Sequence, residues 1–188
     1  LKREIGLINR ERGTAYDPVV LKIDAERYGV PQMRTRVVVI GIRDGRRFVM
    51  PPPTHGDGPQ EEPPLTAWDA IGDVPEPNED LRMRGRWAEL LPTIPEGQNY
   101  LWHTDRGGGE PLFGWRRRYW SFLLKLAKAR QSWTIQAQPG PATGPFHWKG
   151  RLLSVGVLLR LQTLPDDGSV GGHLGGAFIK LLDTAGEH

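Results

Sequence analysis

Tyr28-Gly29-Val30-Pro31-Gln32-Met33-Arg34-Thr35-Arg36 runs directly into Val37-Val38-Val39-Ile40-Gly41-Ile42. The second half is a short β-branched run preceded by a proline-containing turn, and Val37–Ile42 reads as a buried strand. Asp44-Gly45 and the run Arg47-Phe48-Val49-Met50 come next, which predicts a hairpin closing on that strand. In the first half Arg34 and Arg36 alternate, so an extended segment sends both side chains to the same side. Upstream, residues 1–28 mix polar and apolar side chains without a strong period.

Two stretches downstream carry opposite charge. Residues 51–80 hold eight Pro and eight acidic residues and no Lys or Arg. That composition predicts an extended linker crossing the surface with one short helix around Ala67–Gly72, or simply a solvated loop. Residues 101–164 hold ten Lys or Arg against two acids, Asp105 and Glu110, a local balance of +8, together with nine aromatic residues. Cations neutralise phosphates and flat rings pack against bases or sugars, so this interleaving on Gly- and Pro-rich loops suits nucleic acid. It also suits a small aromatic core with a solvated charged face, and composition leaves both open. Leu152–Gln162 predicts an amphipathic helix with Ser154 as N-cap and Val155, Leu158, Leu159 and Gln162 at helical spacing. Pro165-Asp166-Asp167-Gly168 stops it, and Ala177–Leu182 predicts a last short helix.

The 188 residues allow one ordinary domain or two small lobes, and the net charge of +3 says little about a partner. With 24 Gly and 17 Pro much of the chain should be turns and loops, while seven Trp and 38% hydrophobic residues argue against disorder. There is no Cys, which excludes disulfides, Cys metal sites and Cys nucleophiles within this chain. The lack of Cys, of an apolar leader core and of any apolar run near about 18 residues fits a cytoplasmic chain without a membrane helix. The five His show no metal-ligand spacing, so no metal site is expected. No Gly-rich phosphate loop and no repeat is present. A start at Leu1 rather than Met suggests a piece of something longer.

Residues 28–41 resemble the Gln-x-Arg-x-Arg motif of DNA cytosine-5 methyltransferases together with its flanking strand. The order of later segments is similar too. Pro53-Thr54-His55-Gly56 and Ala70-Ile71-Gly72-Asp73-Val74-Pro75 resemble the segments that come after that motif in the family. Trp133-Thr134-Ile135 resembles the Thr-aliphatic element of its target recognition region. Arg151-Leu152-Leu153-Ser154 and Arg160-Leu161-Gln162-Thr163-Leu164-Pro165 resemble the helix behind that region, and His173 to Phe178 is a poorer match to the closing segment. The resemblance implies that Arg36 faces a flipped cytosine or its phosphate, with Gln32 and Arg34 organising the loop. Enzymes that modify a base take it out of the stack, and a pyrimidine carbonyl edge beside phosphates suits planar, always-charged guanidinium forks. It also implies double-stranded DNA as partner and S-adenosylmethionine as methyl donor of a complete enzyme. Expected DNA contacts are Arg116, Arg117 and Arg118 for phosphates and Thr134, Gln136 and Gln138 for base edges. Gly175, Gly176 and Ala177 fall where the family's closing segment approaches the cofactor.

The chain departs from the family in ways that matter for chemistry. It has no Phe-x-Gly-x-Gly cofactor loop, no Pro-Cys-Gln nucleophile and no Glu-Asn-Val acid. In a Ser154-x-x-Glu capping box Val157 takes the place of Glu, beside Gly156, each change costing about 1 kcal/mol of helix stability. Gly176 stands where the family has Asn. The expectation is an α/β remnant of a methyltransferase catalytic domain over residues 1–50 and a Pro-rich acidic linker over 51–80. Beyond them a small, irregular, mostly-β target recognition lobe covers 81–170, with a closing segment over 171–188. Function is then the DNA-recognition and cytosine-binding part of such an enzyme, of restriction-modification type and inactive alone, either one subunit of a split enzyme completed by a partner carrying the missing motifs or an excised fragment of a complete one. A non-catalytic DNA-binding module and a truncated, decaying methyltransferase remain open.

Overall fold

The computed structural model describes residues 1–137 and 139–165, without the side chain of Arg117. Its N-terminal part is a helix and a hairpin. Helix α1 (Lys2–Arg12) carries Glu4 in its first turn and Arg10 and Arg12 in its last, and ends on Gly13 at φ 61. Both charge placements complement the helix dipole, and the left-handed glycine closes the C-terminus. None of its residues is buried. The sequence shows no helical period there because the apolar residues of α1 meet no core.

Strands β1 (Val19–Asp24) and β2 (Thr35–Ile40) pair antiparallel, from Val19 opposite Ile40 to Asp24 opposite Thr35. The predicted strand is therefore present, shifted to Thr35–Ile40, but none of its residues is buried and its partner is the run before it. Arg47–Met50 forms no strand and Val49 is 80% exposed. Two features of the sequence account for the different pairing. Val19–Asp24 offers a longer β-branched run, and Pro51, Pro52 and Pro53 remove ladder donors after Met50. Gly45, at φ 82, turns the chain back instead, and Ala15 N donates to Arg43 O at 3.0 Å.

The rest of the described chain holds the core. Helix α2 (Ala67–Ile71) has the reciprocal capping box of Thr66 and Asp69, and buries Ala67 and Ile71. Helix α3 (Val155–Leu161) starts at Ser154, whose Oγ accepts from Val157 N at 3.4 Å. The two pack together with Leu126 and Trp148. Val157 is 1% exposed within that cluster, so methyl groups occupy the place where a capping-box carboxylate would otherwise reach back. A second cluster gathers Leu91, Ile94, Leu123 and Phe146 with the rings of Tyr100, Trp87, Phe113 and Phe122. Those four rings meet at centroid distances of 5.3–5.7 Å, mostly tilted or edge-on, the geometry that aromatic quadrupoles favour. The lobe expected to be mostly β contains, among its described residues, isolated bridges and short 3-10 turns in place of strands. Seventeen prolines and 24 glycines in the chain interrupt the ladders that longer strands need.

His147 is buried against the Trp148 ring at 4.3 Å, and its Nδ1 accepts from Lys149 N at 3.1 Å. Burial first, and then the nearby charge of Arg151, push its pKa from 6.5 down to about 4. Above pH 6.5 the ring is neutral both folded and unfolded, so it adds no pH dependence there. Between 6.5 and about 4 the unfolded chain takes up a proton that the folded one refuses, and stability falls as pH falls. Urea titrations at about pH 7.5 and about pH 5 should show a loss of at most about 2 kcal/mol, largely absent in His147→Gln. Gly156 lies in α3 with open space where a Cβ would stand. Gly156→Ala should raise the unfolding free energy by about 0.5–1 kcal/mol, read from the same titration.

Candidate target pocket and nucleic-acid interface

The Gln-x-Arg-x-Arg loop is fastened to the recognition lobe by backbone. Ser132 N donates to Pro31 O at 2.9 Å and Met33 N to Ser132 O at 2.8 Å, a parallel bridge between Gln32 and Ser132. Thr134 Oγ1 then donates to Met33 O at 2.7 Å. Gln32 is 0% exposed. Its Nε2 donates to Leu161 O at the end of α3, and its Oε1 accepts from Arg34 Nη1, both at 3.4 Å. Arg34 is further held through its backbone N, which donates to Glu26 Oε2 at 3.3 Å. Burial, and then the charge of Arg36, lower the Arg34 guanidinium from its ordinary value, as expected for two cations on neighbouring positions of one side. Arg36 pairs with Ile23 across the hairpin, on the face shared by Leu21 and Val38, and its exposed head donates to Thr35 O at 2.7 Å. Gln32 and Arg34 are thus joined to each other and to the lobe, while Arg36 presents a guanidinium at the edge.

Sequence reasoning missed Ser132, 0% exposed and central to this junction, and Glu26. Ser132 stands directly before the recognised Trp133-Thr134-Ile135, which was the available signal. Thr134, expected at a base edge, donates its hydroxyl proton to Met33 O. Gln136 is exposed, and Gln138 lies outside the described residues.

The basic segment divides once its partners are known. Glu76 of the acidic stretch bridges Lys149 and Arg151, Asp73 holds Arg160 at 2.5 Å, and Glu96 lies 3.9 Å from Lys128. Lys125 is buried, its Nζ donating to Ile94 O at 2.7 Å, and burial lowers its pKa. Much of the +8 balance is therefore absorbed internally. Among the described residues Arg116, Arg118 and Arg130 make no ion pair, and all three are exposed. The aromatics divide in the same way. Phe113, Phe122, Phe146 and Trp148 go to the clusters, whereas Trp115, Tyr119 and Trp120 are 40%, 50% and 46% exposed. Exposed cations and exposed rings thus coincide at residues 115–120. The backbone there is pinned: Tyr100 Oη donates to Arg116 O, and Asn99 Nδ2 to Trp120 O at 2.7 Å. The Trp120 ring meets Trp133 edge-on at 5.2 Å, which ties this segment to the loop junction.

Gly175, Gly176 and Ala177, and the predicted helix over residues 177–182, lie outside the described residues. Among the described residues no glycine turn joins a strand to a helix. β1 leads into a 3-10 turn, and β2 into Gly41 and irregular chain. The described residues do not fit a S-adenosylmethionine cradle. Among them no group of His, Asp and Glu could hold a metal ion, and no helix is long and apolar enough to cross a membrane.

Residues 7–173 match the family model of C-5 cytosine-specific DNA methylases. The chain is 42% identical over 182 residues to the type II methyltransferase M.SacI of Streptomyces achromogenes, covering 86% of this chain and 46% of that protein. It is 33% identical over 148 residues to the type II methyltransferase M.BbvI of Brevibacillus brevis, covering 76% of this chain and 38% of that protein. To the type II methyltransferase M.NgoFVII of Neisseria gonorrhoeae it is 32% identical over 148 residues, covering 74% and 38%. It thus spans less than half the length of these relatives. On a match that runs through nearly the whole described chain, Gln-x-Arg-x-Arg loop and recognition segment included, this chain belongs to the C-5 cytosine-specific DNA methylase family.

Proposed function

We propose that this chain is the DNA-recognition and target-cytosine-binding part of a restriction-modification DNA cytosine-5 methyltransferase, and that alone it transfers no methyl group. The observation that carries this is the backbone junction of Pro31–Met33 with Ser132–Thr134. It sets the loop that carries Arg34 and Arg36 beside the lobe that bears the exposed cations, with the Arg34 guanidinium tied in through Gln32. In this arrangement Arg36 meets the flipped cytosine or its phosphate, Arg34 is held by Gln32, and Gln136 is free to reach a base edge. Arg116, Arg117 and Arg118 set affinity by neutralising phosphates without choosing sequence. S-adenosylmethionine supplies the methyl group when bound to the complete enzyme, held together with the thiolate nucleophile by residues this chain does not contain. A partner subunit carrying those motifs would complete the site.

Two experiments test this. Purified chain, incubated with DNA and radiolabelled S-adenosylmethionine, should leave no label on DNA. Adding a polypeptide with the cofactor loop and the Pro-Cys-Gln segment should restore transfer, because the chain lacks any Cys to attack the ring. Label transferred by the chain alone would sink the proposal. Separately, replacing Arg116, Arg117 and Arg118 by Ala should weaken binding to every duplex alike. The slope of log affinity against log salt should flatten by about one unit per lost phosphate contact. Fluorescence anisotropy at several salt concentrations reads both, and an unchanged slope would remove these arginines from the phosphate role.

A further inference from the structure

We propose that Tyr119 is a stacking residue that enters the DNA duplex beside the recognition lobe, with Arg116 and Arg118, which precede it on the same segment, gripping neighbouring phosphates; this rests on the DNA-binding role proposed above. A surface that only grips phosphates needs cations and no rings. Residues 115–120 instead expose Trp115, Tyr119 and Trp120 next to Arg116 and Arg118, which make no ion pair among the described residues. Exposed apolar surface of this kind, rimmed by charge of one sign, marks a binding site, and its complement is a polyanion with flat apolar faces. The three rings are not equivalent. The guanidinium of Arg106 lies over Trp115 at 4.3 Å from the ring centroid, covering one face. Trp120 is set edge-on against Trp133 at 5.2 Å. Tyr119, the most exposed of them, meets no other ring and no cation among the described residues. It projects from the single 3-10 turn Arg117–Tyr119.

The turn is also held in advance. Tyr100 Oη holds Arg116 O at its start and Asn99 Nδ2 holds Trp120 O after its end. Asn99 and Tyr100 are both buried, so the scaffold beneath is fixed and little ordering remains to be done on binding. A ring presented on a pinned turn directly after a run of arginines has the form of a wedge, which opens a base step and fills the space it makes. Where a base is to leave the stack, such a filler stabilises the opened duplex.

The test compares short fluorescent duplexes, intact or carrying one unpaired bulged nucleotide, titrated with the full 188-residue chain. A bulge supplies an opened step in advance. Wild type should bind bulged DNA about tenfold more tightly than intact DNA, the scale of one stacked base. Tyr119→Ala should lose that preference, its affinity falling more for bulged than for intact duplex, and Tyr119→Phe should retain it. Because Tyr119 is half exposed, neither substitution disturbs a core. Equal wild-type affinity for both duplexes, or an undiminished preference in Tyr119→Ala, overturns the wedge and leaves the DNA-binding role standing. Failure to bind any duplex overturns both.

Discussion

Within residues 1–66 only Pro31 and Gln32 are buried; every other buried position among the described residues lies between Ala67 and Leu161. A helix and a hairpin are thus moored to the body of the molecule near one carboxamide. Burying such a group without partners costs roughly 1–3 kcal/mol or more, which makes its two hydrogen bonds a condition of docking. They run in opposite directions, to Leu161 O at the end of α3 and from Arg34 Nη1 on the loop. The same side chain therefore registers the motif against the helix and orients Arg34. The neighbouring backbone bonds to Ser132 then turn a point of attachment into a short ladder that cannot slip without breaking all of them.

Charge in this molecule is sorted by the fold. Surface ion pairs such as Asp73 with Arg160 are screened by water and contribute little to stability. Their larger effect is selective. By occupying Lys149, Arg151 and Arg160, the acidic stretch removes those cations from competition for a polyanion. Among the described residues Arg116 and Arg118 are left without an ion pair on one turn beside the exposed rings, and Arg130 is left elsewhere. A uniform basic face would bind DNA in many orientations; a local one favours a single approach.

How much of this was legible depended on the range of the interactions. β2 and α3 announce themselves through β-branching and through Ser154 before an apolar repeat, both local signals. The partner of β2 did not, because Asp44-Gly45 offered an equally good local turn and only the competition with Val19–Ile23 decided against it. α1 was invisible because its apolar side chains have no core to set their period. The aromatic segment was legible as a class and illegible residue by residue. Phe113 and Trp115 are two positions apart in irregular chain, where no period says which faces inward, and they go to the core and the surface respectively. The pocket motif could be read from its residue types, but not the burial of Gln32 or the part played by Ser132, since both arise from a contact across about a hundred residues.

The hairpin is the least self-sufficient piece. Val20, Val37 and Val39 lie on one face of it and are 57%, 69% and 47% exposed. A two-stranded sheet is marginal in water by itself, and two free strand edges with an apolar face invite pairing with other chains. The lobe beyond residue 66 has two hydrophobic clusters of its own and stands on different footing. Arg34 and Arg36 sit at the boundary between these two parts. The site proposed to hold the target base is therefore only as well ordered as the Gln32 junction, unless further strands cover the valine face and stiffen the hairpin from its other side. On the roles proposed above, DNA gripping and base positioning can therefore separate: the arginines of the 115–120 turn rest on the lobe's own core, and those of the loop do not.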